Sequence, residues 1–175
     1  MLTGFAPVVR EDARLLIVGS MPSEASLAKG QYYGHPRNAF WPLMCDLLNE
    51  EWTEDYGKRC RMLEEHGIAL WDVVASCERA GSLDSAIRNV MPNAFGELFE
   101  RTQIRDVFAN GKTAEKLFRK NVTLPDGVTF HGALASTSPA YTMPFAKKKE
   151  DWSRILAVLN RGKEEESCLR EIRPD

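Results

Sequence analysis

Hydrophobic positions in this chain fall into short dense runs separated by longer amphipathic stretches. Residues 14–19 (RLLIVG) form an apolar run ending in glycine and predict a buried strand. A loop rich in Gly, Pro, Ser and Tyr follows over 20–37. Residues 38–49 predict a helix with Asn38 as N-cap and Phe40, Trp41, Met44, Leu47 and Leu48 on its apolar face. Thr53 is placed to cap a second helix that stops near Gly67. Residues 68–74 are apolar and read equally as strand or packed loop. Asn93 is placed to cap a further helix that turns Phe95, Leu98 and Phe99 inward. Residues 105–109 predict a second strand and 111–120 the helix after it. Residues 128–134 supply one or two more strands, divided near Gly132, and a polar turn covers 136–143. Trp152, Ile155, Leu156 and Leu159 have the spacing of a last helix, and from Arg161 the charged tail is expected to fray.

Strands alternating with helices predict an α/β layer architecture with a mostly parallel sheet. In such sheets ligands bind beyond the carboxyl ends of the strands. Three distant loops, 20–38, 110–113 and 136–143, are thereby brought to one site. At 175 residues, with no internal repeat and no long linker, the chain reads as a single domain over 1–160 followed by a charged tail over 161–175.

Composition narrows the class. Hydrophobic residues at 43% and charged residues at 27% are the mix of an ordinary globular protein. No apolar run approaches the ~20 residues of a membrane helix, and the first residues lack a basic start before a long apolar core. A cytoplasmic location is expected. Cys45, Cys60, Cys77 and Cys168 form no C-x-x-C pair, and His35, His66 and His131 are scattered. They read as reduced thiols and unrelated imidazoles, so neither a metal nor a cofactor is expected. A net charge of −2 leaves nucleic acid open as a partner, because the charge is unevenly spread. Arg105, Lys112, Lys116, Arg119 and Lys120 form one basic stretch and Lys147, Lys148 and Lys149 another, while acidic residues gather over 50–55, 64–65 and 164–166.

The loop after the first strand carries the most chemical information. Gly19-Ser20-Met21-Pro22-Ser23 leads into a short helix through Ser26, where small residues let backbone approach a ligand and hydroxyls at a helix start suit a phosphate. No G-x-S-x-G elbow, Walker loop or G-x-G-x-x-G fingerprint occurs. The continuation, Gln31-Tyr32-Tyr33-Gly34-His35-Pro36-Arg37-Asn38-Ala39-Phe40-Trp41, joins two aromatics, a rigid turn and an asparagine heading a helix. Tyr33 or Tyr32 is suited to stack on an unpaired base. Asn38 offers both a donor and an acceptor to a base edge or a water. Trp41 reads as a core aromatic.

The pattern G-S-M-P-S-x-x-S followed by Y-Y-G-H-P-R-N-A-F-W resembles the first motif of the uracil-DNA glycosylase superfamily. Its H-P-x-N-x-F-W element is similar to that of the mismatch-specific uracil/thymine branch, and the fuller pattern is most similar to the hypoxanthine-DNA glycosylase family. The segments Gly67-Ile68-Ala69-Leu70-Trp71-Asp72-Val73, Gly81-Ser82-Leu83-Asp84-Ser85-Ala86-Ile87 and Ser136-Thr137-Ser138-Pro139-Ala140 agree. The resemblance implies a three-layer α/β/α sandwich around a central four-stranded, mostly parallel sheet. It implies double-stranded DNA carrying a deaminated base as substrate, with the target nucleotide rotated into a pocket. By the family pattern Tyr33 stacks on the flipped base, and Gly19, Ser20 and Met21 line the pocket floor. Ser136 and Ser138 flank the nucleotide, Ser23 and Lys112 touch phosphates, and 140–143 lies against the gap in the duplex.

Met21 departs from the superfamily, many of whose members place Asp or Asn there to position the attacking water. A thioether cannot do that work, so Asn38 becomes the expected catalytic residue, orienting water or donating to the departing base. The water role is the one Met21 leaves unfilled. Departure of hypoxanthine as a delocalised anion asks for donors at its edge and no strong base. No lysine is placed for a Schiff base, so a monofunctional enzyme acting as a monomer, without metal or cofactor, is expected. Two alternatives stand beside it: a mismatch-specific uracil/thymine glycosylase, and a non-catalytic damaged-DNA-binding domain of the same fold. A small-molecule hydrolase built on His35 and Asp72 lacks a nucleophile.

Overall fold

The computed structural model describes residues 1–172. A short strand β1 (Leu2–Thr3) precedes β2 (Leu15–Gly19), and helices α1 (Glu24–Lys29), α2 (Phe40–Leu48) and α3 (Tyr56–Glu65) follow. Strands β3 (Ile68–Asp72), β4 (Val74–Glu78) and β5 (Arg88–Pro92) come next, with a 3-10 turn at Asp84–Ala86 before β5. The chain then runs through α4 (Phe95–Arg101), β6 (Asp106–Asn110), α5 (Lys112–Asn121), β7 (Thr129–Leu134), α6 (Phe145–Trp152) and α7 (Arg154–Ile172).

Four strands in the order β3-β2-β6-β7, all parallel, make the central sheet. Every residue of β2 is buried, as its unbroken apolar run requires of a strand covered on both faces. Leu15 and Ile17 point to one side and pack with Phe40, Trp41, Leu63, Leu70 and Trp152. Leu16 and Val18 point to the other and pack with Phe95, Leu98 and Phe118. Alternation along one strand thus builds two cores and three layers, with α2, α3, α6 and α7 on one face and α4 and α5 on the other. Each fully buried large side chain contributes about 1.5–3 kcal/mol relative to exposure.

Several local expectations need correction. Helix α3 is capped by Asp55, whose carboxylate accepts the Lys58 N–H at 3.0 Å, while Thr53 Oγ1 accepts only the Asp55 N–H. Asn93 does not cap α4, because its amide donates to the Asp72 carbonyl at 2.7 Å. Residues 128–134 give one strand, with Gly132 at φ 85° inside it where the register against β6 shifts. Instead of fraying at Arg161, α7 continues to Ile172, where Arg14 holds it through the Gly162 carbonyl and through Glu165 and Glu166. Residues 173–175 of the expected tail lie outside the described residues.

A second, antiparallel sheet in the order β1-β4-β5 was not foreseen. Its β4 leaves the central sheet directly after β3 and pairs with β5, most of whose residues are exposed. Without a buried face, β5 has no hydrophobic alternation to announce it. This hairpin projects at the carboxyl end of the central sheet and forms one wall of the site.

Candidate active site

Beyond the carboxyl ends of β2, β3 and β6 lies a cavity of about 340 Å³, within the range of small-ligand pockets. Gly19, Ser20, Met21, Ser23, Tyr33, Asn38, Ser136 and Ser138 all line it. Lys112 does not; it is exposed at the start of α5, on the same edge of the sheet.

The floor follows from strand register. Gly19 ends β2 and pairs with Asp72 at the end of β3, so their side-chain directions coincide. Because Gly19 has no side chain, the Asp72 carboxyl occupies the space a Cβ would fill, with the Tyr33 hydroxyl 3.0 Å from the same point. Asp72 is 4% exposed. Burial pushes its carboxyl up to about 7, nearby Asp84 adds to the shift, and Arg79 opposes it. Tyr33 adopts a left-handed backbone at φ 52° and lays its ring on Phe40, with centroids 4.2 Å apart. Burial also raises its hydroxyl well above the ordinary phenol range. Among the described residues that hydroxyl has no hydrogen-bond partner of ordinary geometry, although Asn110 lies close enough to offset part of the shift. Tyr32, by contrast, is built into the core and donates to the Ala6 carbonyl at 2.8 Å. Trp41 is likewise buried and donates to the Tyr32 carbonyl at 2.8 Å.

Asn38 sits one residue ahead of the helix cap, Ala39, and its Oδ1 accepts the Phe40 N–H at 3.0 Å. One lone pair of the amide oxygen is therefore used at the start of α2. Its Nδ2 has no protein acceptor among the described residues, so the amide meets the pocket as a donor.

The opposite wall is tied down by Asn110, which the sequence reading missed. Its Nδ2 donates to Thr137 Oγ1 at 2.9 Å, and its Oδ1 accepts the Thr137 N–H at 3.0 Å. The Thr137 carbonyl accepts the Ala39 N–H at 3.0 Å. One buried threonine thus fastens the end of β6 to the entry of α2. Ser136 Oγ accepts the Ser138 N–H and Ser138 Oγ accepts the Ala140 N–H, each at 3.2 Å, which shapes the 136–140 turn. Beneath the turn lies Lys148, 3% exposed, donating to the Ser138 carbonyl at 3.1 Å. Its neighbours Lys147 and Lys149 reach Glu150 and Asp46, so this basic run is divided between core and surface.

On the first loop, Ser23 caps α1 by accepting the Ser26 N–H at 3.2 Å, and Ser20 donates to Asp84 Oδ1 at 2.8 Å. Asp84 belongs to the hairpin and was not singled out from the sequence. His35 does not line the cavity; its Nδ1 accepts the Arg37 N–H at 3.1 Å. The pairing of His35 with Asp72 is thereby removed. No cluster of three His, Cys, Asp or Glu side chains suited to a metal occurs among the described residues. All four cysteines are free, and among the described residues no helix is long and apolar enough to cross a membrane.

A closed-floored pocket with an aromatic wall, at the edge of a parallel sheet, suits a planar base withdrawn from a nucleic-acid strand. Comparison with known proteins agrees. Residues 6–160 match the Uracil DNA glycosylase superfamily. A Hypoxanthine DNA glycosylase of Methanosarcina acetivorans is 34% identical over 159 residues, covering 87% of this chain and 96% of that protein. A Hypoxanthine DNA glycosylase of Methanosarcina barkeri is 38% identical over 111 residues, covering 62% and 70% respectively. The solution NMR structure of a Methanosarcina acetivorans protein, described as a candidate uracil DNA glycosylase, superposes with a TM-score of 0.74 at 32% identity. It covers 90% of this chain and 98% of that one. The chain belongs to the uracil DNA glycosylase superfamily and is a DNA glycosylase.

Proposed function

We propose that this DNA glycosylase removes hypoxanthine from double-stranded DNA by hydrolysis, acting as a monomer in the cytoplasm. The observation that carries the reading is the Asp72 carboxyl against Gly19 on the pocket floor. Once ionised, above about pH 7, that carboxyl is an acceptor only. It suits bases whose pairing edge bears a ring N–H, as hypoxanthine and uracil do, and repels the bare ring nitrogen of adenine or cytosine. The two Methanosarcina relatives named for hypoxanthine narrow the choice to the purine.

In the step itself the bond between C1′ and the base nitrogen breaks, water supplies the oxygen that bonds to C1′, and the base leaves with the electron pair and then gains a proton. Asn38 donates to the departing base through Nδ2, which has no protein acceptor among the described residues, while its oxygen accepts the Phe40 N–H. Tyr33, braced on Phe40, offers a ring for the base to stack on. Ser136 and Ser138 flank the nucleotide, and Ser23 and Lys112 approach its phosphates. Gly19, Ser20 and the buried Met21 complete the floor.

The test is incubation of the whole chain with labelled duplexes carrying hypoxanthine, uracil, xanthine or only ordinary bases, followed by alkali cleavage. Cleavage at hypoxanthine well above uracil supports the reading. Preference for uracil returns the protein to the mismatch uracil branch, and tight binding without cleavage makes it a binding domain.

A further inference from the structure

A second cavity opens beside the first. It has a volume of about 370 Å³, is lined by Arg37, Thr142, Phe145 and Lys148 among others, and shares Asn38 and Tyr141 with the base pocket. None of its lining residues is acidic. Lys148 is the unusual member. Its side chain is buried, and its ammonium donates to the Ser138 carbonyl at 3.1 Å and lies 5.5 Å from the centre of the Tyr141 ring. The lysines on either side each meet a carboxylate, Lys147 that of Glu150 and Lys149 that of Asp46, both at 3.6 Å. Among the described residues Lys148 meets no carboxylate.

An ammonium has three hydrogens to place, and one carbonyl is poor compensation for taking its charge out of water. The helix adds to the cost. Lys148 stands in the opening turn of α6, at the end where the helix dipole favours anions. Burial accordingly holds its ammonium below the ordinary lysine range. An anion in the cavity would offset both costs, and the neighbouring pocket says which anion. A nucleotide whose base enters the first cavity past Asn38 leaves its backbone at the wall the two cavities share. We propose that the second cavity is a phosphate subsite, in which Lys148 and Arg37 hold the backbone phosphate adjoining the flipped nucleotide. Charge-assisted hydrogen bonds are the strong ones, and a partly enclosed site strengthens them further. The inference rests on the reading of the first cavity as a pocket for a flipped base. It adds a contact to the strand and not to the base.

The test binds wild type, Lys148→Met and Arg37→Gln to duplexes carrying a stable abasic analogue. One phosphate at a time, on either side of the analogue, is replaced by an uncharged methylphosphonate. Met keeps most of the packing of the lysine stem, and Arg37 is exposed, so its variant leaves the core untouched. At one phosphate next to the analogue, neutralisation should cost wild type about tenfold in affinity and Lys148→Met no more than about twofold. Arg37→Gln should fall between them at that same phosphate. Elsewhere both variants should lose what wild type loses. Losses equal to those of wild type at every position, in whichever variant is measured, would make Lys148 a brace for the Ser138 turn and overturn the proposal. These measurements require no excision. A phosphate coupled to Lys148 in a protein that releases no hypoxanthine would leave the subsite standing and reject the substrate.

Discussion

Asp72 and Gly19 share one position: the carboxyl of the first fills the side-chain space of the second, at paired residues on adjacent strands. Gly19→Ala must displace the carboxyl or the nearby Tyr33 hydroxyl, both on the pocket floor. Since a displacement near 1 Å costs about 100-fold in rate, single-turnover excision by Gly19→Ala should fall by roughly that factor, with DNA affinity little changed. Unaltered excision would show that the floor plays no part.

The same carboxyl makes stability depend on pH. Asp72 titrates near 7 in the fold against an ordinary 3.8. Between those values the folded chain holds a proton that the unfolded chain has released, so stability falls as pH rises through the window and levels above about 7. Asp72→Asn removes that cost. Urea unfolding should find the variant more stable by about 2–4 kcal/mol at pH 8 and no more stable at pH 3. A gain independent of pH would contradict a buried, proton-binding carboxyl. If the carboxylate accepts the base N–H, wild-type excision also rises through pH 7 and the variant's profile loses that step.

Tyr33 tests stacking. Its buried hydroxyl has no partner, so Tyr33→Phe removes nothing the fold relies on. Excision by Tyr33→Phe should stay within a few-fold of wild type, whereas Tyr33→Ala should lose about 1–3 kcal/mol of base capture. Equal losses would assign the role to the hydroxyl.

Most of the fold was legible because β2 and the helices carry strong periodicity, and β2 feeds both cores. The hairpin was not, since β5 buries no face, and with it went Asp84 and the wall it builds. In the site, the 19–41 segment disclosed Tyr33 and Asn38 through an unusual local run. The link between Asn110 and Thr137 was invisible because it is a mutual hydrogen bond across 27 residues. Asp72 was noticed only as a partner for His35, since register against a glycine, and not local sequence, puts it on the floor. For Asn38 the sequence left two roles open, and the structure adds that its amide oxygen already accepts the Phe40 N–H with one of its two lone pairs.

Lys112 stands outside the pocket at the start of α5. As a phosphate contact it should matter equally for damaged and undamaged duplex. Lys112→Ala should reduce the slope of log affinity against log salt by about 1. A defect limited to hypoxanthine-containing DNA would rule that role out.

The most direct measurement is identification, by mass spectrometry, of the base released in a single turnover from a hypoxanthine-containing duplex by wild type, Asn38→Ala and Asn38→Asp. Wild type should release free hypoxanthine. Asn38→Ala should be slower by roughly 10²–10³, the usual loss for one preorganised transition-state contact. Asn38→Asp still accepts the Phe40 N–H, so its thermal stability should match wild type, but it has no amide hydrogen to give and should be as slow as Asn38→Ala. Release of uracil in preference to hypoxanthine, or near wild-type rates from Asn38→Asp, would contradict the account.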